Sequence, residues 1–283
     1  VHEQVARAIK SFKMFTPEDR ILVAVSGGKD SLALWHILLT LGYRADALYV
    51  NLGIGAYSEE SHRKVRHYAD TVAAAHGAKL IVHVVEQEAG AGIRELATVL
   101  HRPTCSTCGT IKRYQFNRAA VEQDYDVMAT GHNLDDEAAR LLGNVLHWQE
   151  EYLDKQSPTL PASVEGFAKK VKPLCRLSER EIAAYAVVNR IDYIVEECPM
   201  AKGSKMILYK EVLNRLETES PGTKQRFYWG FLEKQTKPEP ANESMAEKDQ
   251  RTLHPCTTCG QPTTAEICTY CKMMAKAKTA TPR

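Results

Sequence analysis

The sequence predicts an α/β fold: a doubly wound, mostly parallel sheet with a small cysteine-rich ribbon near the C-terminal end. Three observations predict it. Short continuous apolar runs alternate with longer helical segments, as in a parallel sheet whose strands are covered on both faces. A turn with two adjacent glycines, Gly27 and Gly28, joins the first apolar run to a helix. Four of the eight cysteines crowd into residues 256–271, beyond a stretch rich in proline and charge.

The elements follow in order. Val1, Val5, Ile9 and Phe12 recur at helical spacing, so residues 1–15 form an amphipathic helix. Ile21 to Val25 is a buried strand, Ser31 to Leu41 a Leu- and Ala-rich helix closed by Gly42, and Ala45 to Asn51 a second strand. Ser58 to His76 is a helix ended by Gly77, and Leu80 to Val85 a third strand. Lys112 to Gln123 is helical, Asp126 to Thr130 a fourth strand, and Asp135 to Leu146 a helix. Ser178, with Glu181 three residues later, starts a helix through a capping box. Ile194-Val195 reads as strand-like. The boundaries are an N-terminal helix, 1–20; a catalytic domain, 21–232; a linker, 233–251; a ribbon, 252–275; and a basic tail, 276–283.

The 283 residues suit one large domain plus a small appendage, and a net charge of +2 does not by itself announce a nucleic-acid partner. No apolar run approaches the roughly 18 residues of a membrane span, and no secretory pattern opens the chain. The expectation is a soluble, cytoplasmic enzyme. Six cysteines form three CxxC pairs, Cys105/Cys108, Cys256/Cys259 and Cys268/Cys271, while Cys175 and Cys198 stand alone. In that compartment such pairs bind metal or carry redox chemistry.

Ser26-Gly27-Gly28-Lys29-Asp30-Ser31 sits between strand and helix, where backbone N–H groups and the positive helix end face one anion. It is neither a GxxxxGK[ST] nor a GxGxxG loop. Gly131-His132-Asn133-Leu134-Asp135-Asp136-Glu137-Ala138 follows the fourth strand and reaches the same edge of the sheet, where ligands bind in doubly wound folds. Aspartates beside a triphosphate hold Mg²⁺. Asp135 suits helix capping and Asp136 the active site.

Cys105 and Cys108 precede a helix carrying Lys112 and Arg113, a setting that favours thiolate. With Cys198 they make three thiolates, enough for an iron–sulfur cluster with one open iron. A redox pair serving a persulfide is the alternative. Cys175 is read as a buried, inert thiol. Cys256-x2-Cys259-x8-Cys268-x2-Cys271 closes a tetrahedron around structural Zn²⁺, with Gly260 in the knuckle.

The loop resembles the SGGxDS loop of the N-type ATP pyrophosphatase (PP-loop) superfamily, whose fold is Rossmann-like. The whole chain resembles its tRNA 2-thiouridine synthetases of the TtuA type. The match runs through SGGKDSLALW at Ser26 to Trp35, LGIG at Leu52 to Gly55, CxxCG followed by KRY, GHNLDDEA, EECP at Glu196 to Pro199, and the terminal ribbon. The resemblance implies that ATP adenylates the C2 carbonyl oxygen of a tRNA uridine, releasing pyrophosphate, and that sulfur then replaces the oxygen as AMP leaves. It implies a 4Fe–4S cluster on Cys105, Cys108 and Cys198, and catalytic roles for Lys112 and Asp136. A nucleotide site at Ala24, Val25, Ser26, Gly27, Gly28, Lys29, Asp30, Ser31, Val50 and Gly131, with Lys112 and Asp136, follows from it too. So do a ubiquitin-like sulfur donor ending in a thiocarboxylate, a target at position 54 of the T-loop, and a homodimer. The family carries a second zinc ribbon ahead of its first helix; the sequence here begins at that helix, at Val1.

Basic groups support tRNA binding modestly: Arg63, Lys64 and Arg66; Lys169, Lys170, Lys172 and Arg176; and Lys272, Lys276 and Lys278. The competing readings are thiolation of a wobble uridine or cytidine 32, an amide-forming ATP synthetase, and a non-enzymatic RNA-binding ribbon protein.

Overall fold

Period-two burial sets the core. In β1 (Arg20–Val25), Ile21, Val23 and Val25 point into one apolar cluster and Leu22 into another on the opposite face. A strand buried on both faces belongs in the middle of a parallel sheet. The computed structural model places it there and describes residues 1–163, 166–201, 205–236 and 253–280.

The six-stranded sheet has the order β3-β2-β1-β4-β6-β5. Its strands are β1, β2 (Arg44–Asn51), β3 (Leu80–Val84), β4 (Val127–Thr130), β5 (Thr159–Leu160) and β6 (Lys169–Val171). All neighbours are parallel except the edge strand β5. The helices before and among them are α1 (His2–Ser11), α2 (Lys29–Thr40), α3 (Gly55–Thr71), α4 (Val85–Ala89), α5 (Ile93–Val99), α6 (Thr104–Glu122), α7 (Leu134–Leu146) and α8 (Glu150–Leu153). Next come α9 (Glu179–Val188), α10 (Lys205–Glu219) and α11 (Thr223–Thr236). The ribbon pairs β7 (His254–Pro255) with β8 (Pro262–Thr263) and ends in α12 (Thr269–Ala280). Residues of α1, α2 and α9 pack in one core cluster; residues of α5, α6 and α12 pack in the other. β1, β2 and β4 lie side by side and parallel, so the loops after Val25, Asn51 and Thr130 open on one edge.

Several boundaries differ from the sequence expectations. The helix expected over 58–76 runs from Gly55 to Thr71 and gives way to a 3₁₀ turn, Ala73–His76. The helix expected from Lys112 begins at Thr104, so both cysteines of the first CxxC lie inside it. Ile194-Val195 is not a strand, and Val195 is exposed; two apolar residues are too few to bury a strand. Helix α11 extends to Thr236, into the expected linker, whose remainder lies outside the described residues. Basic residues 276–280 continue α12 rather than forming a separate tail, and 281–283 lie outside the described residues. The capping box at Ser178 and Glu181 forms as expected. Among the described residues no helix is long and apolar enough to cross a membrane.

Candidate active site

The turn after β1 is fastened by its own hydroxyls. Ser26 N–H donates to Ser31 Oγ at 3.0 Å, and that hydroxyl donates to Gly28 O at 3.0 Å. Gly27 has φ +81°, and a Cβ there would lie 2.9 Å from Ser61 O, so glycine is required twice over. Ser61 Oγ donates to Ser26 O at 3.1 Å, and Ile194 N–H donates to Gly27 O at 2.9 Å. The loop is therefore gripped from α3 on one side and from the segment leading to Cys198 on the other. Across the opening, a Cβ on Gly131 would lie 3.0 Å from Asp30 C and Ser31 Cα, which lets the two motifs touch.

Together they line a cavity of about 370 Å³. Its walls include Ala24, Val25, Ser26, Gly28, Asp30, Ser31, Lys112, Gly131 and Asp136. Gly27, Lys29 and Val50, also expected at the nucleotide, stand outside that lining. Gly27 shapes the loop from behind. Val50 is buried in β2, opposite His83 of β3. Lys29 Nζ turns to Glu179 Oε1 at 2.6 Å and Asp30 Oδ2 at 3.2 Å. Phe116, Thr130 and His132 join the lining without having been singled out. Helical spacing from Lys112 identifies Phe116 as the next residue on that face; Thr130 ends a strand at the ligand edge, and His132 stands inside the acidic motif.

The aspartates divide differently from the sequence expectation. Asn133 caps α7, accepting from Asp136 N–H at 3.0 Å, while Asp136 Oδ2 accepts from Asn133 N–H at 3.1 Å. Asp135, expected as the cap, is buried; it pairs with Lys224 and accepts from Glu179 N–H at 2.9 Å. Asp136 Oδ1 lies 2.6 Å from Lys210 Nζ, and Lys210 also reaches Glu179 Oε2 at 3.1 Å. Asp30, Lys29, Glu179, Lys210 and Asp136 thus form one chain of alternating charge beside the cavity.

Burial pushes the Asp30 carboxyl above its ordinary range, Lys29 opposes the rise and Asp136 adds to it. A carboxyl raised in part by a neighbouring carboxylate suits a divalent cation between the two. Burial, then Arg140, holds the His132 imidazole below its ordinary 6.5, so the ring is neutral near neutral pH.

One wall of the cavity is α6. Cys105, Cys108, Lys112 and Phe116 fall on one face of that helix by their spacing. Cys105 Sγ donates to Met200 O at 3.3 Å, drawing the 198–201 turn against the helix start. Burial pushes the Cys108 thiol up, Lys112 opposes this, and Cys198 and Cys105 both add to it. Cys108 therefore lies within electrostatic reach of both other thiols, and three thiols are the donor set that a cluster held by three cysteines needs. Cys175 is remote from this set; burial, reinforced by Glu137, pushes its thiol up to about 12, as expected of an inert thiol.

In the ribbon, the sulfurs of Cys256, Cys259, Cys268 and Cys271 all lie within 4.8 Å of one another. Cys268 N–H donates to Cys256 Sγ at 3.2 Å and Cys271 N–H to Cys268 Sγ at 3.4 Å. Burial raises the Cys256 thiol, but the surrounding N–H donors outweigh it and bring it to about 6. Four sulfurs gathered this closely are a donor set that fits tetrahedral zinc.

The basic groups divide too. Arg63 pairs with Glu60 at 2.6 Å and Lys64 pairs with Asp192. Lys172 pairs with the buried Glu137 at 2.6 Å, and Lys170 is lowered by burial. Lys272, Lys276 and Lys278 are exposed on α12.

A family model described as a PP-loop domain matches residues 1–203. The chain is similar to the tRNA-5-methyluridine(54) 2-sulfurtransferase of Thermus thermophilus, with 47% identity over 96% of this chain and 81% of that one. The protein of the same description from Pyrococcus horikoshii is 44% identical over 97% of this chain and 84% of its own. Among solved structures, the U34-tRNA thiolase NcsA from Methanococcus maripaludis with its [4Fe-4S] cluster shares the fold. Its TM-score is 0.76 at 23% identity, over 96% of this chain and 86% of that one.

Proposed function

The chain belongs to the PP-loop family and, within it, to the tRNA 2-sulfurtransferases, and from that premise we propose that it thiolates C2 of the uridine or ribothymidine at position 54 of tRNA. One observation carries the reading: the phosphate loop, Asp136 and Lys112 line a single cavity, and the helix that brings Lys112 to it, α6, carries Cys105 and Cys108 on the same face by their spacing. Activation and sulfur delivery then share one helix face.

In this reading, ATP lies with its phosphates on the N–H groups of residues 26–31 and on the N-terminus of α2. Asp30 and Asp136 would hold Mg²⁺, which would screen the triphosphate charge. Lys112 neutralises charge as the C2 oxygen is adenylated and pyrophosphate leaves. Cys105, Cys108 and Cys198 would hold a 4Fe–4S cluster, which would supply the sulfur that replaces the oxygen as AMP leaves. Cys256, Cys259, Cys268 and Cys271 would hold Zn²⁺ in the ribbon. A ubiquitin-like protein ending in a thiocarboxylate renews the sulfur, and the enzyme works in the cytoplasm as a homodimer. The exposed lysines of α12 offer phosphate contacts to tRNA.

Anaerobically purified protein should hold about four irons and one zinc per chain, by the stoichiometry of such sites. With ATP and sulfide it should place sulfur at position 54, read by mass spectrometry of digested tRNA. Sulfur at the wobble position, or activity that needs no iron, would overturn the assignment.

A further inference from the structure

The helix that carries the reacting groups has a second face, and the ribbon holds it. Lys112 and Phe116 line the cavity; Tyr114, midway between them, lies half a turn round α6. Its ring stacks on Tyr270 with centroids 3.6 Å apart and planes 7° from parallel. Tyr270 stands between the ribbon cysteines Cys268 and Cys271. Gln115, buried, donates to Tyr270 Oη at 3.0 Å and to Glu88 Oε2 at 2.7 Å. Asn117, also buried, donates to Gln261 Oε1 at 2.6 Å. Arg102, just ahead of the helix, reaches Met273 Sδ at 3.2 Å. Ile111 and Ala120 of α6 share an apolar cluster with Cys256, Cys268, Tyr270, Met273, Met274 and Ala277.

The cysteine end of α6 has little of its own to fasten it. Pro103 stands at the N-cap and makes no side-chain capping bond. An uncapped first turn frays unless packing restrains it. Besides α5 and the sheet, with which Ile111 shares its apolar cluster, the restraint comes from a ribbon that is too small for a core of its own and whose folding depends on its metal. The phosphate loop, by contrast, is braced by α3 and by the 194 backbone, neither of which is part of this grip.

We propose that Tyr270 and Gln261 of the ribbon are positioning residues for the reaction: gripping Tyr114, Gln115 and Asn117, they fix the rotation and depth of α6 and so place Lys112 and the cysteines Cys105 and Cys108. The proposal rests on the reading of Lys112 and those cysteines as reacting-centre groups. It assigns the ribbon a role in chemistry at a cavity whose lining includes none of its residues.

Full-length protein tests it, with zinc, iron, kcat and KM measured together. In Tyr270→Ala, zinc stays bound by its four cysteines. Misplacement of the helix lowers kcat about tenfold or more, whereas KM for ATP stays within about twofold, because binding at the loop is untouched. Tyr270→Phe, which keeps the ring stack, recovers most of kcat. Amide exchange over residues 104–122 rises in Tyr270→Ala, and also in wild-type protein after zinc is chelated, which covers the case of a variant that does not fold. Wild-type kcat in zinc-loaded Tyr270→Ala, or exchange in α6 unaffected by chelation, overturns the proposal. Inactive, iron-free wild-type protein would instead overturn the functional reading beneath it.

Discussion

The two cysteine groups of this chain are built on opposite plans. In the ribbon, two CxxC pairs twelve residues apart at their first cysteines bring four sulfurs within 4.8 Å, and Cys268 N–H of the second pair donates to Cys256 Sγ of the first. At the cavity, Cys105 and Cys108 come from the first turn of α6 and Cys198 from a loop some ninety residues later. One group is local and gathers four sulfurs within one short segment. The other is assembled across the fold, holds three thiols, and borders a cavity with a lysine beside it. A closed set of ligands holds structure; an open set leaves a position for chemistry.

Four changes break or sharpen that contrast. The largest effect belongs to Cys198→Ala, which should reduce thiolation to background and strip iron while zinc content stays at the wild-type level. Loss of zinc together with iron would show that the two groups are not independent sites. Cys268→Ala should release zinc and unfold residues 253–280, with a cost of several kcal/mol because the metal supplies the ribbon's folding energy; zinc assay and protease sensitivity check it. Lys112→Ala should lower kcat by about 10²–10³-fold, the usual toll of removing a charge-stabilising donor, with both metals retained.

The smallest effect is in pH. Burial holds His132 below 6.5 in the folded chain, so as pH falls the unfolded chain takes up this proton first. The stability it contributes is complete above 6.5 and declines as pH drops from there toward the folded value, by at most about 1.4 kcal/mol per pH unit. Denaturant melts across that window should show the slope, and His132→Asn should flatten it.

Strands β1 to β4 were legible because buried parallel strands write themselves as continuous apolar runs, as Ile21 to Val25 does, whereas the two- and three-residue strands β5 and β6 are too short to show such a run. The phosphate loop was legible because adjacent glycines before a helix leave few other uses. What escaped the sequence is action at a distance. Lys29 meets Glu179 across 150 residues, and Lys210 meets Asp136 from a helix, α10, that was not foreseen and whose inward face shows only Leu213 fully buried. No local pattern marks such partners. Asp136 reached the cavity as expected, but Asp135 did not cap the helix, because Asn133, one residue outside the acidic run's first turn, was the better-placed cap and Asp135 turned inward to Lys224. Ile194-Val195 misled because apolar residues in a tether look the same in one dimension as apolar residues in a strand.

That tether has a consequence for how the protein can be probed. Ile194 N–H to Gly27 O is a bond between two main chains, linking the loop that grips phosphate to the stretch that presents Cys198. Every amino acid but one supplies the same donor at position 194, so an alanine scan passes over the connection in silence. Sequence drift can repaint the side chains along it without ever loosening it. Only Ile194→Pro cuts it, and a survey that omits proline will report two sites where the backbone has made one.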